Sequence, residues 1–197
     1  MEFSSKEVLE LQEKLKSVLS EKRYLHTIGV AYLAASLAMC HGISHRDALV
    51  AGLLHDCAKH YDETFLTEQC VALGLQVSEH ELKLPWLLHA AYGAYLAEQE
   101  YHIVNPDILR AIRNHTVGRP EMTPLEQIIF VADYFEPERT QKTEPPLDEI
   151  RKIAFGNLEE AVYLVLENTI RYLTSSGQEM APETQETYQY YCNRRVK

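Results

Sequence analysis

A chain of 197 residues with 46% hydrophobic side chains can build one domain with its own core, and it is too apolar for a disordered segment. Its 29 acidic and 19 basic residues leave a net charge of −10 spread along the chain, which excludes indiscriminate binding to nucleic acid or anionic lipid, since a negative surface repels polyanions. A phosphorylated substrate stays open, provided that a metal or a few placed Lys and Arg supply local positive charge.

The opening Met-Glu-Phe-Ser-Ser-Lys-Glu has no basic region ahead of an apolar run and does not read as a signal peptide. Val8, Leu11, Leu15 and Val18 then repeat at helical spacing. From Leu25 to His45 no Asp, Glu, Lys or Arg occurs in 21 residues, long enough to span a bilayer. Gly29, Ser36, Gly42, Ser44, three His and mostly Ala as the apolar members argue instead for a buried central helix from about Glu21 to Met39. Ser44-x-x-Asp47 caps the next helix, expected to run to about Lys59, and Asp62 caps a short one that stops at Gly74. Pro85 starts a helix reaching Tyr101, and Asn105-Pro106 starts one that ends before Gly118. Thr123-Pro124-Leu125-Glu126 combines a cap, a first-turn Pro and a capping-box Glu, marking a helix to about Phe135.

The polar stretch Glu136 to Pro146 reads as a loop, and a long helix from about Leu147 to Ser176, interrupted at Gly156, ends at Gly177. A polar tail with Tyr188, Tyr190 and Tyr191 occupies 177–197, behind a core of about 21–176; packing of a last helix is the stronger reading of these tyrosines, and stacking on an adenine the alternative. No alternating β-branched run suggests a strand, and no repeat or boundary divides the chain, so the expected fold is an all-α helical bundle in one domain, 1–197. Cys40, Cys57, Cys70 and Cys192 form no C-x-x-C pair and read as buried free thiols of a reducing cytoplasm.

The chemistry sits where polar residues interrupt apolar runs. His55-Asp56 ends the run Ala48 to Leu54, where two polar groups are costly to bury without partners. His26, His89, His115 and Asp133 likewise follow apolar segments, each on a different expected helix. One such residue is ordinary, because His is often half-buried; four His and two Asp together are not. Helical bundles build metal sites by aiming side chains from facing helices at one spot, and imidazole with carboxylate suits Zn, Fe, Mn or Co. The two oxygens of Asp56 can reach two cations.

The ordered set His26, His55-Asp56 and Asp133 resembles the metal-dependent HD-domain phosphohydrolases. Leu54-His55-Asp56-Cys57-Ala58-Lys59, Ile112-Arg113-Asn114-His115-Thr116-Val117-Gly118 and Val131-Ala132-Asp133-Tyr134-Phe135-Glu136-Pro137-Glu138-Arg139 are similar to the YqeK-type bacterial symmetrical diadenosine tetraphosphate hydrolases, from about Arg23 to the Tyr-rich tail. The resemblance implies two divalent or mixed-valence transition-metal ions, iron first, with Mn, Co and Zn left open by the ligand types. It puts His26, His55, Asp56 and Asp133 on one ion, and His89 and His115 on the other with Asp56 bridging. Many members have His-Gly where this chain has His89-Ala90. A metal-bridging hydroxide would then attack a phosphorus in line.

Lys59 lies four residues after His55 and three after Asp56, so on a continued helix it shares their face and is assigned, with Asp56, to the catalytic group as a phosphate contact. Arg139 and Arg23 are further phosphate candidates, because a guanidinium binds phosphate bidentately; surface pairs with Glu136 or Glu21 are the alternative. Thr116 follows one of the implied ligand His and is a candidate to orient a phosphate or water, with capping or solvation as the stronger alternative. The activity implied is a symmetrical bis(5'-nucleosyl)-tetraphosphatase giving two ADP. The alternatives are another HD-type nucleotide phosphohydrolase or phosphodiesterase, or a non-catalytic nucleotide-sensing module. The expected partner is a dinucleoside polyphosphate or nucleotide, with no nucleic acid and no membrane, and a homodimer left open.

Overall fold

In the computed structural model the description covers residues 3–195, so residues 1–2 and 196–197 of the expected 1–197 domain lie outside it. Local sequence sets most helix starts. Ser4, Ser78 and Thr123 each form a capping box with the Glu three residues on, opening α1 (Ser5–Val18), α5 (Glu79–Lys83) and α8 (Pro124–Phe135). Ser20, Ser44, Asp62, Asn105 and Asn157 each accept a backbone N–H at the start of α2 (Glu21–Cys40), α3 (His45–Leu54), α4 (Glu63–Ala72), α7 (Pro106–Asn114) and α10 (Leu158–Ser176). A 3-10 turn (Pro85–Leu87) leads into α6 (Leu88–Gln99), while α9 (Leu147–Ala154) and α11 (Pro182–Arg195) complete the set. Among the described residues every regular element is helical, and none is long and apolar enough to cross a membrane.

α2 and α3 pack closest, because both backbones carry small residues where they cross. A Cβ built on Gly52 would stand 2.6 Å from the Cα of Ala31, so only glycine admits this approach. Val30, Ala31, Ala34 and Leu37 of α2 are fully buried there, while Leu25, Tyr32 and Met39 keep the opposite face exposed, so α2 is central without being buried all round. α7 packs on α3, α6 and α8, and α8 on α2, which gathers the ends of five helices at one place.

Three segments depart from the sequence reading. α3 stops at Leu54 rather than near Lys59, and the chain continues in turns in which Cys57 N–H donates to Leu54 O and Lys59 N–H to Asp56 O. The Nδ1 of His55 lies 2.7 Å from Gly52 O, the carbonyl that a continued helix would give to the Asp56 N–H. The core is also wider than 21–176: Val8 and Leu15 of α1 join it from one end. From the other end the 177–197 tail is mostly the packed helix α11, whose Tyr191 is buried and whose Tyr188 stacks on Tyr163 with centroids 5.6 Å apart. Of the cysteines, Cys57 and Cys70 are buried, Cys192 is half-buried and Cys40 is exposed; all four are unpaired.

Candidate metal centre

Five helices supply the six expected ligands. His26 sits one turn into α2, His55-Asp56 just past the end of α3, His89 in the first turn of α6, His115 at the C-cap of α7 and Asp133 in the last turn of α8. Three groupings place one donor atom per residue within 4.8 Å of each other: His26, His55 and Asp56; His55, His115 and Asp133; Asp56, His89 and His115. Asp56 divides its oxygens between two sides. Oδ2 lies 3.5 Å from His55 Nε2 and 3.9 Å from His26 Nε2, whereas Oδ1 lies 3.2 Å from His89 Nε2 and 3.6 Å from His115 Nε2. Asp133 Oδ1 stands 2.9 Å from His26 Nε2 and 3.7 Å from His55 Nε2.

The histidine protons are fixed by what faces the other ring nitrogen. His55, His89 and His115 each place Nδ1 2.6 to 2.7 Å from the carbonyl three residues earlier, of Gly52, Trp86 and Ile112. A carbonyl only accepts, so each Nδ1 carries the proton and each Nε2 presents a lone pair. His26 does the same with Nδ1 3.2 Å from the Glu136 carboxylate. The consequence is a cluster of acceptors facing acceptors. His26 Nε2 meets Asp133, His89 Nε2 and His115 Nε2 lie 3.2 Å apart, and the buried Nε2 atoms of His26 and His55 have no hydrogen-bond partner. Lone pairs brought this close with no proton between them fit cations, so the residues present fit a divalent metal site. Glu136 was missing from the sequence reading as anything but a surface partner of Arg139.

Burial and neighbouring charge act in opposite directions on His89 and His55. Burial pushes His89 down to about 4, and the nearby Asp56 carboxylate recovers only part of that, so the ring is a neutral donor at pH 7. Burial also disfavours charge on His55, but Asp56 and Asp133 outweigh it and hold the ring above its ordinary value. Asp56 and Asp133 both lie below the usual carboxylate range, because the surrounding imidazoles more than offset their burial.

Cations ring the cluster. Arg23 Nη1 donates to Asp56 Oδ2 at 2.6 Å, so its partner is the Asp56 carboxylate rather than Glu21. Lys59 reaches the site through the turn after α3, not along a helical face, with Nζ 3.2 Å from His89 Nδ1. That nitrogen already donates to Trp86 O and cannot also accept, whereas His89 Nε2, 3.5 Å from Nζ, presents a lone pair to the ammonium. Arg139 sits 3.4 Å from Asp133 Oδ1 and 3.8 Å from Glu136 Oε1. A cavity of about 520 Å³ opens beside the cluster, with His115, Thr116, Asp133, Arg139, Trp86 and Tyr172 among its lining residues.

Residues 23–138 match the HD domain family. A symmetrical bis(5'-nucleosyl)-tetraphosphatase of Bacillus subtilis is 39% identical over 179 residues, covering 89% of this chain and 92% of that protein. One of Staphylococcus aureus is 35% identical over 181 residues, covering 89% and 90%. A crystal structure from Clostridium acetobutylicum, described as an HD superfamily hydrolase involved in NAD metabolism, covers 98% of this chain and 100% of its own at a TM-score of 0.89 and 35% identity.

Proposed function

The chain belongs to the HD-domain family, and on that premise we propose that it is a metal-dependent hydrolase that splits diadenosine tetraphosphate symmetrically into two ADP. The observation that carries the reading is the division of Asp56, with one oxygen toward His26 and His55 and the other toward His89 and His115, beside a cavity with basic and aromatic walls. His26, His55, Asp56 and Asp133 hold one ion; His89 and His115, with the second oxygen of Asp56, hold another. Iron is the metal proposed, and Mn, Co and Zn suit the same donors. Metal ions bound there supply Lewis acidity that stabilises charge on phosphoryl oxygens and lowers the pKa of the attacking water.

The chain's own residues bind and aim the substrate. Arg23 and Lys59 approach the cluster on two sides, so a polyphosphate seated against Asp56 has its negative charge met within the wall. Lys59 is mostly buried, and burial lowers its pKa despite the attraction of Asp56. That desolvation strengthens its pull on a phosphate oxygen once one arrives. Arg139 and Thr116 line the way to the cavity, where Trp86 and Tyr172 offer ring faces to a nucleoside. The compartment proposed is the cytoplasm, which four unpaired cysteines fit.

The cleavage register tests this. Attack at one inner phosphorus with the other inner phosphate departing yields two ADP, whereas attack nearer an end yields AMP and ATP. Chromatography of diadenosine tetraphosphate incubated with the metal-loaded protein should show ADP alone. AMP with ATP would refute the symmetrical register, and tight binding without turnover would favour a sensing module.

A further inference from the structure

We propose that Glu136 is a positioning residue for the metal site, that it sets the tautomer and ring orientation of His26, and that Gly29 is a glycine in order to admit it. The inference rests on the reading of His26 as a metal ligand. Glu136 directly follows α8 and is only 2% exposed, a carboxylate buried away from any substrate surface. Its Oε1 lies 3.2 Å from His26 Nδ1, and its Oε2 accepts the Glu138 N–H at 2.7 Å. Both oxygens are therefore committed, one to the ring and one to the turn that holds the carboxylate in place. Arg151 of α9 clamps that turn, donating through Nε to Phe135 O at 2.9 Å and through Nη2 to Glu136 O at 2.9 Å and Arg139 O at 3.0 Å.

The other three histidines are aimed by carbonyls three residues earlier, in the last turns of α3 and α7 and in the 3-10 turn before α6; His26 lies inside α2, where a backbone carbonyl is already engaged in the helix. A carboxylate from a neighbouring element does the work instead, and it also raises the basicity of Nε2 toward a metal. Space for it comes from α2. A Cβ at Gly29, three residues after His26 and so on the same face, would meet Glu136 Oε2 at 2.9 Å, so the carboxylate would have to shift from the place where it accepts the Glu138 N–H. Glycine inside a helix is costly relative to alanine, and the approach of Glu136 gives that cost a reason.

Zinc(II) titration of the full, metal-stripped chain against a chromophoric chelator, together with imidazole nitrogen NMR of the metal-free chain, tests the device. Glu136→Ala and Gly29→Ala should each weaken zinc binding about 10- to 100-fold and release the His26 Nδ1–H tautomer. In the Glu136→Ala background the close approach is gone and the methyl of Gly29→Ala keeps only an ordinary 3.7 Å contact with the Cβ of residue 136, so the double variant should bind zinc no more weakly than Glu136→Ala alone. If Glu136→Ala does not fold, Glu136→Gln replaces it: one acceptor oxygen then serves two N–H donors, and zinc binding should still weaken. Wild-type affinity in either Glu136 variant, or effects of the two sites that simply add, would overturn the inference while leaving the metal reading intact. A wild-type chain that takes up no zinc would overturn both.

Discussion

Asp56→Asn is the most informative single change, because the two oxygens of Asp56 face the two sides of the cluster. Asparagine keeps the shape but removes the charge and one acceptor, so neither the His26 and His55 side nor the His89 and His115 side retains its carboxylate oxygen with full donor strength. If each ion contributes about 4 kcal/mol of transition-state charge stabilisation, loss of both is about 8 kcal/mol, or roughly a million-fold in turnover. The fold should survive. Arg23, the cation bonded to Asp56, has a side chain 35% exposed and stays hydrated when its partner is neutralised. Elemental analysis should give less than one metal per chain, and chromatography of diadenosine tetraphosphate should show no ADP above background. His115→Ala is the contrast, since it strips the Oδ1 side only and should leave metal on the other. An Asp56→Asn chain that carries two ions, or turns over within about tenfold of wild type, would refute the shared-carboxylate reasoning.

Lys59→Ala should keep its metal content and lower turnover by about 2 to 4 kcal/mol, roughly 30- to 1000-fold, because it removes one buried charge that strengthens at the transition state; loss of metal, or normal turnover, would show that the ammonium has another role. Glu126 supplies a pH prediction away from the ligands. It is buried and accepts from Asn114, Arg119 and the Thr123 N–H, so that although burial pushes its pKa up, these partners hold it below the ordinary value. A depressed carboxylate stabilises the fold above its unfolded pKa, about 4.3, and loses that contribution as pH falls through the lower folded value. Glu126→Gln should therefore be less stable by about 1 to 3 kcal/mol at pH 7, with the gap narrowing below about pH 4 when metal-stripped chains are unfolded by denaturant; a gap that stays constant with pH would refute the assignment.

The helices were legible because their starts are written in single residues. Caps at Ser44, Asp62, Asn105 and Thr123 lie where the sequence reading puts them, and the Ser78-x-x-Glu81 capping box of α5 was equally present and went unused. That a last helix packs was legible from its tyrosines; the bounds of α11 and its place in the main core were not. Its sequence is polar overall, and what makes Tyr191 a core residue is the face of α10 it meets, a contact between distant parts of the chain.

The ligand types were legible for a different reason: a buried imidazole or carboxylate at the end of an apolar run needs a partner, and six of them can satisfy one another only through something cationic. Their orientation was not, because it depends on where the helices stop. The last carbonyls of a helix have no intrahelical donor, and a histidine at that point can supply one from Nδ1. His55 does so at the end of α3 and His115 at the end of α7, each turning Nε2 outward toward Asp56. A helix continued to Lys59 would have given Gly52 O to the Asp56 N–H and left the His55 ring without its guide. The early stop at Leu54 and the aim of the ligand are thus one event, and the same turn swings Lys59 to His89. His26, alone in mid-helix, has no such carbonyl, which is why its orientation has to come from outside the helix.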